Sequence, residues 1–184
     1  MSDSTGLSLN HFQLFELPVS FAIDIPQLTA RYRDLQRTVH PDRFTNASDQ
    51  DRRLSMQRTA QLNEAFQVLK HPLSRARYIL ELQGVDFNNE RDIQQDALFL
   101  MEQMELRESL ENIETATDPL LRISEIMQSI DEREKQLFAE IQSDLKTNTE
   151  QGQKAAKAIV HKLQFMQKLR QEADAKEADL MDIL

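Results

Sequence analysis

The sequence predicts an all-α protein, and three observations carry that expectation. Apolar residues recur at spacings of three and four along almost the whole chain. No stretch shows the strict alternation of a half-buried strand. Only three of the 184 residues are glycine, against a usual share of about 7%, which works against folds built on tight turns and phosphate-cradling loops.

The helices follow in order. A short first helix is expected over Asn10 to Leu17, with Phe12, Leu14 and Phe15 as its apolar residues and Pro18 beyond its end. The second starts at Asp24, an N-cap with Gln27 three positions later and Pro26 in the first turn, where a missing N–H is harmless. Leu28, Tyr32, Leu35 and Val39 form its inward stripe, and Arg31, Arg33 and Arg37 occupy its other faces. It must stop near His40, because Pro41 disfavours helical geometry in the residue before it. A third helix opens at Ser48, with Asp51 at N3, and runs to about Lys70. Leu54, Arg58, Leu62, Ala65, Phe66 and Leu69 mark its inward face, the Arg58 stem snorkelling outward. The short connection makes helices two and three an antiparallel hairpin. Pro72 begins a fourth helix, closed by Gly84 at C′. Beyond Gly84 to Asn89, three longer helices are expected over 92–116, 119–146 (with Asp118 as N-cap) and 151–181. Short connections make them a three-helix bundle.

Composition narrows the function classes. The chain has no cysteine, which removes disulfides, CxxC redox pairs and thiolate metal sites. His11, His40, His71 and His161 lack metal-ligand spacing, and there is no phosphate loop or nucleophile–base motif, so no metal, no cofactor and no enzymatic activity are expected. No run approaches the roughly 18 apolar residues of a membrane span, and the first ten residues carry no secretory pattern. A cytoplasmic protein is the expectation. The net charge of −9 is unevenly spread. Residues 1–80 hold ten basic and eight acidic side chains, a net of +2, and residues 81–184 hold twelve and twenty-three, a net of −11. The acidic balance argues against a nucleic-acid partner, and the sign change suggests two units with different partners.

His40-Pro41-Asp42-Arg43 lies in the turn of the hairpin. Taken alone, the tripeptide is a helix stop followed by a turn residue. Its surroundings are more specific. It sits between an arginine-bearing helix and a longer one containing Leu62-Asn63-Glu64-Ala65-Phe66-Gln67-Val68-Leu69, followed by His71-Pro72-Leu73-Ser74-Arg75-Ala76-Arg77-Tyr78. That order resembles the J-domain of DnaJ-type co-chaperones over about residues 10–80, and Asn10 to Leu17 is similar to the family's first helix. The resemblance implies that His40, Pro41 and Asp42 dock on an ATP-dependent DnaK-like chaperone and stimulate its hydrolysis. It also implies that Arg31, Arg33, Arg37 and Arg43 steer that docking. The bland reading of each arginine is a solvated helix face.

The fifth helix carries one apolar stripe too many. At 100° per residue, Phe99, Leu106, Leu110 and Ile113 fall within about 60° of one another, an ordinary core stripe. Ala97, Leu100, Met101 and Met104 cluster roughly 150° around from it, edged by Glu105 and Glu108. That second stripe either packs within the molecule or receives a partner. Phe165 lies off the seam of the last helix and could extend it. The run Asp96 to Glu108, with Lys162 to Arg170 later, resembles the HscB family of J-domain co-chaperones in iron–sulfur cluster assembly. The resemblance spans nearly the whole chain. It implies a J-domain over residues 1–83, a helical hairpin with short flanking helices, and a C-terminal three-helix bundle over 84–184. It further implies that Leu100, Met101, Met104, Glu105, Glu108 and Phe165 bind an IscU-type scaffold protein, and that the J-domain delivers the scaffold to an HscA-type ATPase chaperone. A J-protein adaptor serving a different client is the alternative, sharing the first 80 residues.

Overall fold

The computed structural model of the protein describes residues 9–40, 48–87, 97–147 and 149–183. Within them lie seven α-helices and no strand: α1 (His11–Leu14), α2 (Ile25–Val39), α3 (Asp49–Lys70), α4 (Pro72–Leu82), α5 (Ala97–Glu111), α6 (Pro119–Thr147) and α7 (Glu150–Ile183). A single 3-10 turn, Ile113–Thr115, separates α5 from α6. The chain divides into two compact units, residues 1–82 and 83–184.

In the first unit the helix starts obey local side-chain chemistry. Asp24 accepts the Gln27 N–H at 3.0 Å, and Ser48 accepts that of Asp51 at 3.2 Å, so each cap satisfies one of the orphan amides of a helix N-terminus. A complete reciprocal box forms one element earlier. Asn10 accepts from the Gln13 amide at 2.9 Å, and the Gln13 side chain accepts from the Asn10 amide at 3.0 Å.

Helix α1 is shorter than expected, and its end explains why. Glu16 takes the left-handed conformation, with φ of 52°. The Glu16 N–H bonds to the Gln13 carbonyl at 3.0 Å and the Leu17 N–H to the Phe12 carbonyl at 2.9 Å, the pair of bonds that defines a Schellman end. Glycine is the usual residue there; this chain uses glutamate and braces the turn from outside. The Arg31 guanidinium on α2 donates to the carbonyls of Phe15 and Glu16, the latter at 2.7 Å.

Helices α2 and α3 run in opposite directions, since Val39 meets Ser55 and Thr59 while Tyr32 meets Asn63 and Phe66. Tyr32 stacks on Phe66 with ring centroids 4.1 Å apart. Phe12, Phe15, Leu28, Leu62, Ala65, Leu69, Ala76, Ile79 and Leu80 are buried between these helices and α4. Arg75 of α4 is buried as well; it donates to the Leu69 carbonyl at 2.8 Å and lies over the Phe21 ring. Burial pushes its guanidinium below the usual value. Helix α4 ends at Leu82, and the turn beyond it uses Gly84, whose φ of 85° is the left-handed geometry glycine adopts without strain.

The second unit is organised on the long α6–α7 hairpin. Ile123, Ile126, Ile130, Leu137 and Ile141 face Ala156, Ile159, Val160, Leu163, Met166, Leu169 and Ala173, all buried, with the three-and-four spacing of one inward stripe on each helix. Asp118 caps α6 by accepting from Leu121 N–H at 3.0 Å. Helix α5 docks through buried Phe99 and Leu110. It stops at Glu111 rather than running to Ala116 as the periodicity suggested. The chain passes there into the 3-10 turn, where the Thr115 N–H and hydroxyl both bond to the Asn112 carbonyl, at 3.1 and 2.7 Å. Upstream, Lys157 is buried and donates to the Asp86 carbonyl at 2.7 Å, pinning the segment after Gly84 to α7.

Candidate functional site

Two surfaces hold the residues singled out in the sequence. On the first unit, α2 delivers the chain to His40, which caps the helix with extended geometry (φ −58°, ψ 131°) and is exposed. Pro41, Asp42 and Arg43 lie outside the described residues. The arginines of α2 differ from one another. Arg33 and Arg37 are exposed, and Arg37 faces Asp34 one turn back at 3.5 Å. Arg31 instead is committed to the α1 carbonyls and lies 3.9 Å from the Glu16 carboxylate.

The C-terminal turn of α2 is served by hydroxyls. Thr38 donates to the Leu35 carbonyl at 2.7 Å. Ser55 and Thr59, both on α3, donate to the Val39 carbonyl at 2.7 and 3.2 Å. Neither Ser55 nor Thr59 stood out in the sequence, because hydroxyls inside a helical stripe look like neutral filler.

On the second unit, α5 presents opposite faces to opposite environments. Phe99 and Leu110 are buried, while Leu100, Met101 and Met104 are 44, 60 and 72% exposed. The second stripe is therefore an open apolar surface. Leu98, at 79% exposed, widens the apolar surface, although it lies about 110° from the stripe's centre on a helical wheel. Glu105 and Glu108 are exposed beside it. Together with Ser109, Asn112, Thr115, Ala116 and Arg122 they line an open depression of about 390 Å³.

Phe165 is half-buried and meets Phe99 edge-on, with centroids 5.9 Å apart and ring planes at 82°. Each ring of this pair carries a cation: Lys162 lies 5.2 Å from the Phe99 centroid and Arg107 5.5 Å from that of Phe165. Arg107 also pairs with Glu172 at 3.6 Å, and Glu102 with Arg133 at 3.2 Å. Phe165 thus lies at the seam where α5 meets α7, and these contacts hold the helix that carries the open stripe. Among the described residues, no group of three or more His, Asp or Glu side chains is placed to hold a metal ion. No described helix is long and apolar enough to cross a membrane.

Known proteins resemble the chain over nearly its whole length. The family model of the HSCB C-terminal oligomerisation domain matches residues 95–174. A co-chaperone protein HscB homolog of Shewanella halifaxensis is 45% identical over 174 residues, which is 95% of this chain and 100% of that protein. The solved structure of the chaperone HscB from Vibrio cholerae superposes with a TM-score of 0.84 at 38% identity, covering 94% of this chain and 99% of that one. Human co-chaperone HscB also gives a TM-score of 0.84, at 28% identity, over 96% of this chain and 84% of that one.

Proposed function

This chain belongs to the HscB co-chaperone family, and from that premise we propose that it is an adaptor joining two proteins during iron–sulfur cluster maturation. The first unit is its J-domain and the second its scaffold-binding bundle. The bundle holds an IscU-type scaffold protein through Leu98, Leu100, Met101 and Met104, with Glu105 and Glu108 at the edge. The J-domain brings that scaffold to an HscA-type ATPase chaperone and stimulates hydrolysis, using His40, Pro41 and Asp42, with Arg33, Arg37 and Arg43 steering the encounter. The chain acts in the cytoplasm, contributes contacts rather than catalytic groups, and takes no cofactor. The cluster is the scaffold's cargo.

The observation that supports this reading best is the open stripe on α5. An apolar face left exposed beside acidic residues, on a helix whose other face is buried, suits a protein partner more than a small molecule. Leucine and methionine are adaptable anchors for such a partner. The basic, exposed part of α2 suits an acidic surface, where complementary charge raises the association rate and fades with salt.

The test is an ATPase assay on an HscA-type chaperone, with and without scaffold, comparing the natural chain with His40→Gln. Stimulation is expected to be lost in the variant while scaffold binding and helix content stay unchanged. Stimulation that survives the substitution rejects the J-domain reading. For the other surface, Met104→Ala is expected to weaken scaffold binding by roughly 1–2 kcal/mol, the cost of truncating a central anchor. An unchanged affinity in that variant rejects the stripe as the contact.

A further inference from the structure

We propose that Ser55 and Thr59 are positioning residues for chaperone docking: by sharing the last carbonyl of α2, their hydroxyls fix the direction in which His40 leaves the helix. The inference rests on the docking reading of His40 given above.

The last four carbonyls of a helix have no partner within it. The common remedy is an N–H from the residue at C′, in a left-handed turn. Here that residue is Pro41, which has no N–H to give. Helix α2 must find donors elsewhere, and it finds them on its neighbour: Ser55 at 2.7 Å and Thr59 at 3.2 Å both donate to Val39. A carbonyl oxygen has two lone pairs, so the pair of hydroxyls saturates it.

The contrast with other hydroxyls of the same unit is informative. Thr29 and Thr38 donate back to carbonyls of their own helix, Ile25 and Leu35, the usual habit of helical threonines. Ser55 and Thr59 lie one turn apart on α3 and instead reach across to a different helix, converging on one atom. Ser55 is only 3% exposed. A buried hydroxyl in an apolar seam costs stability unless it is bonded, and alanine would fill the seam without that liability. The bond to Val39 is what Ser55 provides. It fastens the residue immediately before His40 to α3, at the point where the extended backbone of His40 turns the chain away from the helix axis.

A docking group launched from a fastened end loses less freedom on binding than one launched from a frayed end. The effect belongs to affinity and leaves the bound state alone. In the ATPase assay, Ser55→Ala/Thr59→Val is therefore expected to raise the co-chaperone concentration for half-maximal stimulation by about three- to tenfold, the scale of one or two lost hydrogen bonds, with maximal stimulation unchanged. Thr59→Ser, which keeps the hydroxyl, is expected to behave as the natural chain, and Thr59→Val alone to give the smaller part of the shift. If the double variant fails to fold by circular dichroism, the Thr59→Val and Thr59→Ser pair decides the matter. An unaltered half-maximal concentration in a folded variant, or a lowered maximum at unaltered concentration, overturns the positioning role. His40→Gln run alongside separates the two ideas: lost stimulation there keeps the docking reading even if the positioning role fails.

Discussion

The two units solve the same problem, holding amphipathic helices together, with different polar chemistry. Among the described residues of 1–82, the polar contacts that cross between elements end largely on neutral acceptors. Arg31 reaches the carbonyls of Phe15 and Glu16, Arg75 that of Leu69, and Ser55 and Thr59 that of Val39. In residues 83–184 the helices are stitched by ion pairs. Arg170 of α7 bridges Asp131 and Glu134 of α6, Arg133 of α6 meets Glu102 of α5, Arg107 of α5 meets Glu172 of α7, and Lys176 meets Glu114. The excess acid of the second half thus has two roles. Some carboxylates hold the bundle, while Glu105 and Glu108 flank the open stripe.

The comparison is sharpest if the apolar cores of the two units are alike, so the largest effects should be equal. Leu69→Ala and Leu163→Ala each remove a fully buried leucine and are expected to destabilise their own unit by about 2–5 kcal/mol. Urea unfolding with a probe in each unit measures this; a large inequality would place the difference in the cores rather than in the polar contacts. Next comes Arg170→Ala. Burial pulls the Arg170 guanidinium down, but hydrogen bonding and charge from Asp131 and Glu134 outweigh it and raise it overall. Loss of this partly shielded bridge is expected to cost roughly 1–2 kcal/mol at low ionic strength, and distinctly less in about 1 M salt. Arg31→Met in the first unit should cost about 1 kcal/mol, with a weaker salt dependence. Equal salt dependence of the two variants would break the distinction.

Two smaller effects sharpen the picture of the first unit. Glu16→Gly relieves a left-handed residue and is expected to stabilise by about 0.5–1 kcal/mol, read as a rise in unfolding midpoint. His11 stacks on Tyr78 at 4.1 Å, and burial there lowers its pKa, partly opposed by Glu64 and Glu81. The unfolded chain therefore takes up a proton first as pH falls through about 6.5. The stabilising contribution is complete above that value and is lost as pH drops through the lowered folded pKa. A pH series of unfolding free energies should show this slope, and His11→Phe should remove it.

Much of this architecture was legible because caps and stops are local. Asp24, Ser48 and Asp118 each name a helix start, and Gly84 a helix end, through the chemistry of one side chain or the lack of one. What escaped depended on partners distant in sequence. The left-handed turn at Glu16 relies on an arginine fifteen positions away, and the end of α2 relies on hydroxyls sixteen and twenty positions away. The early stop of α5, followed by a 3-10 turn at Ile113–Thr115, comes with no glycine or proline to announce it. For the candidate surfaces, helical angles placed Leu100, Met101 and Met104 together on the open face. They could not reveal that Phe165 engages Phe99, because wheel geometry describes one helix at a time.

The open stripe on α5 also has a colloidal consequence. Leu98, Leu100, Met101 and Met104 are the same kind of surface to a second copy of the chain as to a partner, and the net charge of −9 opposes the approach of two copies. That repulsion reaches about 8 Å in physiological salt and about 3 Å in 1 M salt. In concentrated, high-salt solution the faces of two copies meet before the charges are felt, so stickiness for a partner and tendency to self-associate rise together.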